Sequence, residues 1–227
     1  MQPYLLPYVG YFQLIAAVDV FIVYDDVKYT KKGWINRNRM LQNGADVMFS
    51  LPLKKDSDSL DVVERELAAD FNREKLLNQF KGTYRRAPYF DQTFPLIEQI
   101  VRYEDENLFR FLHHSIVKTC EHLDIKTEIK ISSGITIDHT LQSQDKVLAL
   151  CEAVGASTYV NAIGGIDLYS KEMFREMGIE LKFIKSKPFE YAQFGAEFVP
   201  WLSIIDVMMF NSLDIVRTNI TNNYELI

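Results

Sequence analysis

Residues 158–185 read "TYVNAIGGIDLYSKEMFREMGIELKFIK". The run Thr158–Ile163 is rich in β-branched and aromatic side chains, the composition of a strand. "KEMFREMG" is helical in character and stops at Gly178, a residue suited to the left-handed position that closes a helix. "IELKFIK" is a second strand. A strand, a helix and a strand joined by short breaks predict two parallel strands with a right-handed crossover. Upstream, "LQSQDKVLALCEAVG" predicts a helix stopped by Gly155, and "KTEIKIS" a strand before it. The whole run is strand, helix, strand, helix, strand. It predicts an α/β fold with a Rossmann-like, doubly wound and mostly parallel sheet.

The rest of the chain is read against that sheet. "VFIVYDD" (Val20–Asp26) is a short apolar run bounded by acids, a buried strand. "GYFQLIAAV" before it suits a short helix. "MQPYLL" looks like the tail of a strand that Pro3 prevents from pairing further. Val47–Leu53 and Leu60–Leu67 are candidate strands joined by the polar loop "KKDSDS". From about residue 70 to 124 the pattern is helical, with Leu108, Phe111, Leu112, Ile116 and Cys120 near helical spacing, so a mainly helical insertion is expected there. "SIIDVMMFNSLDIVRTNI" predicts one or two closing helices. With no repeat and no low-complexity linker, residues 1–227 are read as a single α/β domain.

Composition narrows the function. The chain has 227 residues, 48% hydrophobic and 25% charged, with a net charge of −6. That balance argues against a nucleic-acid partner. The first stretch is apolar, but Pro3, Pro7, Gln13 and Asp19 interrupt it and no Lys or Arg precedes Lys28. It matches neither a signal peptide nor a transmembrane segment, and a cytoplasmic location is expected. Cys120 and Cys151 are then expected as free, buried thiols. There is no CxxC and no HExxH, and adjacent His113 and His114 point about 100° apart on a helix. No metal cage is expected. P-loop, nucleophile-elbow and kinase motifs are missing.

In open α/β sheets, ligands lie beyond the carboxyl ends of the strands. Three segments reach that edge: "QPYLLPYVGY", "YDDVKYTKKGWINRNR" and "NAIGGIDLY". In the first, Tyr4 and Tyr11 are candidates to face a ligand. In the second, Asp25 and Asp26 close an apolar strand, either as catalytic carboxylates or as strand-end caps. Lys28, Lys31, Lys32, Arg37 and Arg39 follow without an acid, with Trp34, Asn36 and Asn38 interleaved. A solvated basic face and a site for a phosphorylated ligand both fit. In the third, Asn161, Gly164 and Gly165 are candidates for an anion-binding turn, or simply turn the chain. Lys146 is an unexpected base in the first turn of a helix. The segment "FEYAQFGAEFVPWLSIIDVMMFN" carries Tyr191, Gln193, Trp201, Ser203 and Asp206, and Asp206, an acid amid Ile204, Ile205, Val207 and Met208, needs a partner if buried. Ser203 can cap the following helix.

Several of these segments together resemble one family. "QPYLLPYVGYF", "DVFIVYDDVKYTKKGWINRNR", "RRAPYF", "GASTYVNAIGG" with "LYSKEMFREMGIELKFIK", and "FVPWLSIIDVMMFN" are similar, in order, to the WbqC-like proteins of bacteria. Gln2, Pro3, Tyr4, Pro7, Gly10, Tyr11, Asp26, Trp34, Asn36, Arg37, Asn38, Pro88, Tyr89, Lys146, Tyr191, Gln193, Ser203 and Asp206 match motif positions, which adds Gln2 and Tyr89 to the substrate-binding candidates. Relatives carry a Lys-His pair in the first long helix, whereas "NREKLLNQF" has Lys75 and no His. The resemblance implies a cytoplasmic step on a nucleotide-linked sugar, in O-antigen and other surface-polysaccharide (lipopolysaccharide) synthesis. It supplies no catalytic residues.

Three functions are weighed. The first is a transferase that acylates or aminoacylates the amino group of a nucleotide-linked amino sugar, using an acyl or aminoacyl donor, with Asp25 or Asp26 as base. The second is a glycosyltransferase that holds a divalent metal on the Asp pair. The third is a non-catalytic subunit of a polysaccharide-synthesis complex. A homo-oligomer is compatible with each.

Overall fold

The computed structural model describes residues 1–57, 59–195 and 197–227. The protein is a mixed α/β structure. Strand β1 (Val20–Val23) pairs in parallel with β4 (Glu128–Ile131), Val20 lying opposite Glu128 and Val23 opposite Ile131. Strand β5 (Thr158–Ala162) pairs in parallel with β6 (Glu180–Ser186), and β7 (Tyr224–Leu226) runs antiparallel to β6. Helix α6 (Lys171–Glu176) is the crossover between β5 and β6. Gly155 and Gly178 follow α5 (Ser143–Ala153) and α6 with φ of 66° and 72°. This is the left-handed conformation in which glycine carries no Cβ penalty.

Two elements differ from expectation. The basic segment, read as an edge loop, contains a strand: β2 (Arg37–Gln42) pairs antiparallel with β3 (Ala45–Ser50) in a hairpin. Asn43 and Gly44 make the turn with φ of 53° and 76°, the geometry that matches the twist of the two strands. Leu60–Leu67, read as a strand, instead holds a 3₁₀ turn at Val62–Glu64, closed by a capping box of Asp61 and Glu64. Pairing on either side is reduced to single bridges, Lys28 with Asp61 and Leu53 with Leu67. The hydrogen-bonded strands fall into three small sheets, β1–β4, β2–β3 and β5–β6–β7.

The first residue takes part in the β1 region. The Met1 ammonium donates to Ile22 O at 2.7 Å, and Tyr24 N donates to Met1 O at 2.9 Å. That is a parallel bridge, which Pro3 cannot extend. Burial pushes the Met1 amine down to about 5.

Residues 70–124 hold α2 (Arg73–Tyr84), α3 (Phe90–Val101) and α4 (Leu108–His122). Asn72 and Asn107 cap α2 and α4 through their side-chain oxygens. The buried faces of these helices (Phe80, Tyr84, Ile97, Ile100, Phe111, Leu112 and Ile116) share one core with residues of several other elements. Phe12 and Ile15 come from α1 (Val9–Ala16), Val23 from β1, Met40 from β2, and Ile204 and Met209 from α7 (Ile204–Phe210). A smaller apolar cluster lies where α5 and α6 cover β5 and β6, built on Val147, Cys151, Phe174 and Phe183. Cys120 and Cys151 are free and buried, and burial pushes their thiols up to about 12 and about 11. Helix α8 (Leu213–Asn222) closes the chain before β7. Among the described residues no helix is long and apolar enough to cross a membrane.

Candidate functional site

The carboxyl ends of β1 and β4 bring two acids and two serines together. Asp25 is buried; its Oδ1 accepts from Ser133 N at 3.1 Å and its Oδ2 from Ser133 Oγ at 2.6 Å. Ser132 Oγ lies 2.8 Å from Asp25 Oδ1 and 2.6 Å from Asp26 Oδ1, so one hydroxyl proton serves both acids. Asp25 therefore ties the two strand ends together. Asp26 reaches outward. Its Oδ2 accepts from Lys146 Nζ at 2.6 Å and faces His139 Nδ1 at 3.1 Å. Burial alone would raise the Asp26 pKa, but Lys146, Ser132 and His139 outweigh it and hold the carboxyl below its usual range. Lys146 stands in the first turn of α5, where the helix dipole disfavours a base. Its side chain is only 12% exposed, and its ammonium also lies 5.8 Å from the centre of the Tyr24 ring.

This donor set does not fit a divalent cation. The oxygens of Asp25 are occupied by serine and backbone donors, and an ammonium already stands against Asp26. Among the described residues no three His, Cys, Asp or Glu side chains converge as ligands.

The other sequence candidates divide between internal braces and exposed positions. Tyr4 OH donates to Gln2 Oε1 at 3.1 Å and Tyr11 OH to Gln2 O at 2.9 Å, with the two rings 5.7 Å apart. Asn38 Nδ2 donates to the carbonyls of Leu5 and Leu6 at 3.0 and 2.9 Å, and Ser203 Oγ to Leu6 O at 2.7 Å. These bonds fix the proline-bounded loop where Leu6 takes a φ of 42°. Asn36 is held between Tyr29 OH and Leu51 O, Arg37 donates to Gly33 O at 2.9 Å, and Lys28 pairs with Asp61 at 3.0 Å. Trp34 is 40% exposed, with the Arg39 guanidinium 5.2 Å from its ring centre. Tyr89 is half-buried at the start of α3, its N–H donating to Met209 O. Gly164 and Gly165 lie in a 3₁₀ turn after β5, and a Cβ on Gly165 would meet Asn161 Nδ2 at 2.9 Å. That contact gives a packing reason for glycine there.

A second gathering forms around Asp206, in the first turn of α7 and fully buried. Tyr84 OH donates to its Oδ1 at 2.9 Å; Tyr191 OH and Gln193 Nε2 donate to its Oδ2 at 2.8 and 2.6 Å. Burial raises the Asp206 carboxyl to about 6 even though these donors pull the other way. Burial also raises the Tyr191 phenol well above its ordinary value. Gln193 Oε1 accepts from Val199 N at 2.7 Å and so pins the loop that follows. Ser203 caps α7, donating to Leu6 O and accepting from Ile205 N.

Tyr191 also lines a cavity of about 480 Å³ between the start of α1, the end of β6, the segment after it and α7. Tyr8, Phe189, Phe198 and Trp201 complete its aromatic wall, and none of the Asp26 cluster reaches it. Tyr8 and Trp201 stand 5.1 Å apart, as do Tyr191 and Phe198. Sequence reasoning missed His139, Ser132 and Ser133 at the first gathering, and Tyr8, Phe189 and Phe198 at the second. Their only signal was position, in loops that follow strands or precede helices.

The fold and these two gatherings define a mixed α/β protein with a hydrogen-bonded acid beside an aromatic cavity. The chain belongs to the WbqC-like protein family, whose model matches residues 2–218. It is 26% identical over 214 residues to the Mycobacterium tuberculosis H37Rv protein Rv1507c, itself described as uncharacterized, covering 93% of this chain and 91% of that one. No solved structure matches the chain.

Proposed function

We propose that this protein is a transferase that acylates or aminoacylates the amino group of a nucleotide-linked amino sugar, acting in the cytoplasm in bacterial surface-polysaccharide synthesis. The observation that carries this reading is the contact of cavity-lining Tyr191 with buried Asp206, whose carboxyl burial raises to about 6. A base with that pKa is mostly ionised at neutral pH and still accepts a proton readily. The chemistry runs as follows. The sugar's amine first releases its ammonium proton to solvent, and the nitrogen lone pair then attacks the carbonyl carbon of an activated acyl ester or thioester. The N–C bond forms, the C–O or C–S bond breaks, and the electron pair leaves with the oxygen or sulfur. The amine proton passes to the Tyr191 oxygen while the Tyr191 hydrogen moves to Asp206. The reverse relay returns a proton to the leaving group, so the enzyme ends unchanged.

In this reading Asp26 acts as the anchor of Lys146 rather than as the base. A carboxyl held below its usual range is a weak proton acceptor. We also read β1–β4 and β5–β6–β7 as parts of one Rossmann-like, doubly wound sheet; the parallel pairing of β1 with β4 and of β5 with β6 supports this. The test is to incubate the protein with nucleotide-linked amino sugars and acyl thioesters or activated aminoacyl esters, and to weigh the products. An amide adduct on the sugar is expected. A panel that returns every sugar unchanged sinks the proposal.

A further inference from the structure

We propose that the aromatic cavity selects its ligand by a protonated amine, held between the Tyr8–Trp201 faces and the carboxylates of Glu190 and Glu197, and does not take a phosphate. The lining charges decide this. Among the described residues, Glu190 and Glu197 oppose Lys187 alone, with no arginine and no histidine on the wall. Neither glutamate forms an ion pair among the described residues, so both charges are available to a ligand. A phosphate there would face two like charges, whereas an ammonium would be attracted by both.

The rings point the same way. An aromatic face carries partial negative charge and attracts a cation placed over it, while its flat apolar surface suits the C–H face of a sugar ring. Trp201 is 60% exposed and sits at a φ of 61°, uncommon for so bulky a residue. Its ring tilts by 50° against Tyr8, and both rings line the cavity. A volume of about 480 Å³ falls within the ordinary range for small-molecule sites. That the amine belongs to an amino sugar rests on the transferase reading, in which the nucleotide's phosphates lie outside this cavity. The preference for an ammonium does not.

The full chain labelled with 5-fluorotryptophan gives a site-specific probe, because only Trp34 and Trp201 carry fluorine. The Trp201 resonance is assigned with Trp201→Phe. It is then titrated with methyl β-D-glucosaminide, with its N-acetylated counterpart and with inorganic phosphate. The glucosaminide is expected to move the Trp201 signal and leave that of Trp34 in place, and N-acetylation to weaken binding about tenfold. Glu190→Gln and Glu197→Gln are each expected to weaken the amine by roughly threefold, and the double variant by roughly tenfold. Circular dichroism checks that these surface changes leave the fold intact. The proposal is overturned if the acetylated sugar binds as well as the amine, if phosphate moves the Trp201 signal, if the glutamate variants bind like the wild type, or if the amine moves nothing up to its solubility. Failure of the transferase reading looks different: the amine binds selectively and no acyl donor reacts.

Discussion

Asp206→Asn removes the one carboxyl that the fold buries completely beside the cavity, and its effect depends on pH in a calculable way. The Asp206 carboxyl is raised from 3.8 to about 6, a little over two units, which corresponds to about 3 kcal/mol of cost for keeping it ionised in the folded protein. The folded state holds its proton more tightly than the unfolded chain does. Between pH 4 and 6 the folded form therefore binds more protons, and stability falls as pH rises through that window. Below pH 4 both states are protonated and the cost vanishes; above about 6 it is fully present. Roughly 2 of the 3 kcal/mol falls between pH 4.5 and 7.5. Asparagine carries no charge, so this slope disappears. It also places an N–H₂ donor among the donors of Tyr84, Tyr191 and Gln193, which costs about 1–3 kcal/mol at any pH. Urea unfolding of both proteins at pH 4.5, 6 and 7.5 reads the difference. With about 1 kcal/mol of that cost already present in the wild type at pH 4.5, Asn is expected to be neutral to about 2 kcal/mol destabilising there, and to shift by about 2 kcal/mol in its favour, to neutral or stabilising, by pH 7.5. Parallel pH profiles for the two proteins would show that Asp206 is not held in the shifted state, and the general-base argument would go with it.

Other outcomes follow from single contacts. A Cβ on Gly10 would stand 2.7 Å from Ser186 Oγ, which donates to buried Gln13 Oε1 at 2.5 Å. Gly10→Ala is expected to cost about 1 kcal/mol in urea melts by turning that hydroxyl away, and to cost nothing further in a Ser186→Ala background. Ser203→Ala removes the cap of α7 and leaves Leu6 O with Asn38 Nδ2 as its remaining side-chain donor, so a loss of about 1–2 kcal/mol is expected in the same assay. Lys146→Met takes away the strongest influence lowering the Asp26 carboxyl, whose pKa is then expected to rise in a carbon-detected NMR titration. The stabilisation from that lowered pKa, present above about pH 4 and lost as pH falls through the folded value, shrinks with it. An unmoved Asp26 titration would mean that the 2.6 Å pair is not formed in solution.

Local chemistry made part of the fold legible. Strand β1 is a short apolar run, β4 and β6 alternate charged with apolar residues, β5 carries β-branched and aromatic ones, and Gly155 and Gly178 mark helix ends that the backbone honours with positive φ. The β2–β3 hairpin was hidden because its first strand reads "RNRMLQ", where charge outweighs alternation. The Asn43–Gly44 pair that forces the turn was the available signal. Leu60–Leu67 misled in the other direction, since buried Arg65 is accommodated by stacking 4.7 Å from the Tyr29 ring and donating to Ser57 O. The gatherings themselves were only half visible. Asp206 announced its need for partners, yet Tyr84 lies 122 residues away; Lys146 looked out of place at its helix start, yet Asp26 lies 120 residues away. Such contacts are set by the packing of whole elements, which no local pattern records.

The central claim is that Tyr191 and Asp206 move the proton in an acyl transfer to an amine. Its most direct test is the pH dependence of single-turnover amide formation, followed by mass spectrometry, in the wild type, Tyr191→Phe and Asp206→Asn. The wild-type rate is expected to fall as pH drops through about 6, and both variants to lose most of the rate while still binding the amino sugar. A Tyr191→Phe protein that forms the amide at the wild-type rate, with the same pH dependence, would contradict the account.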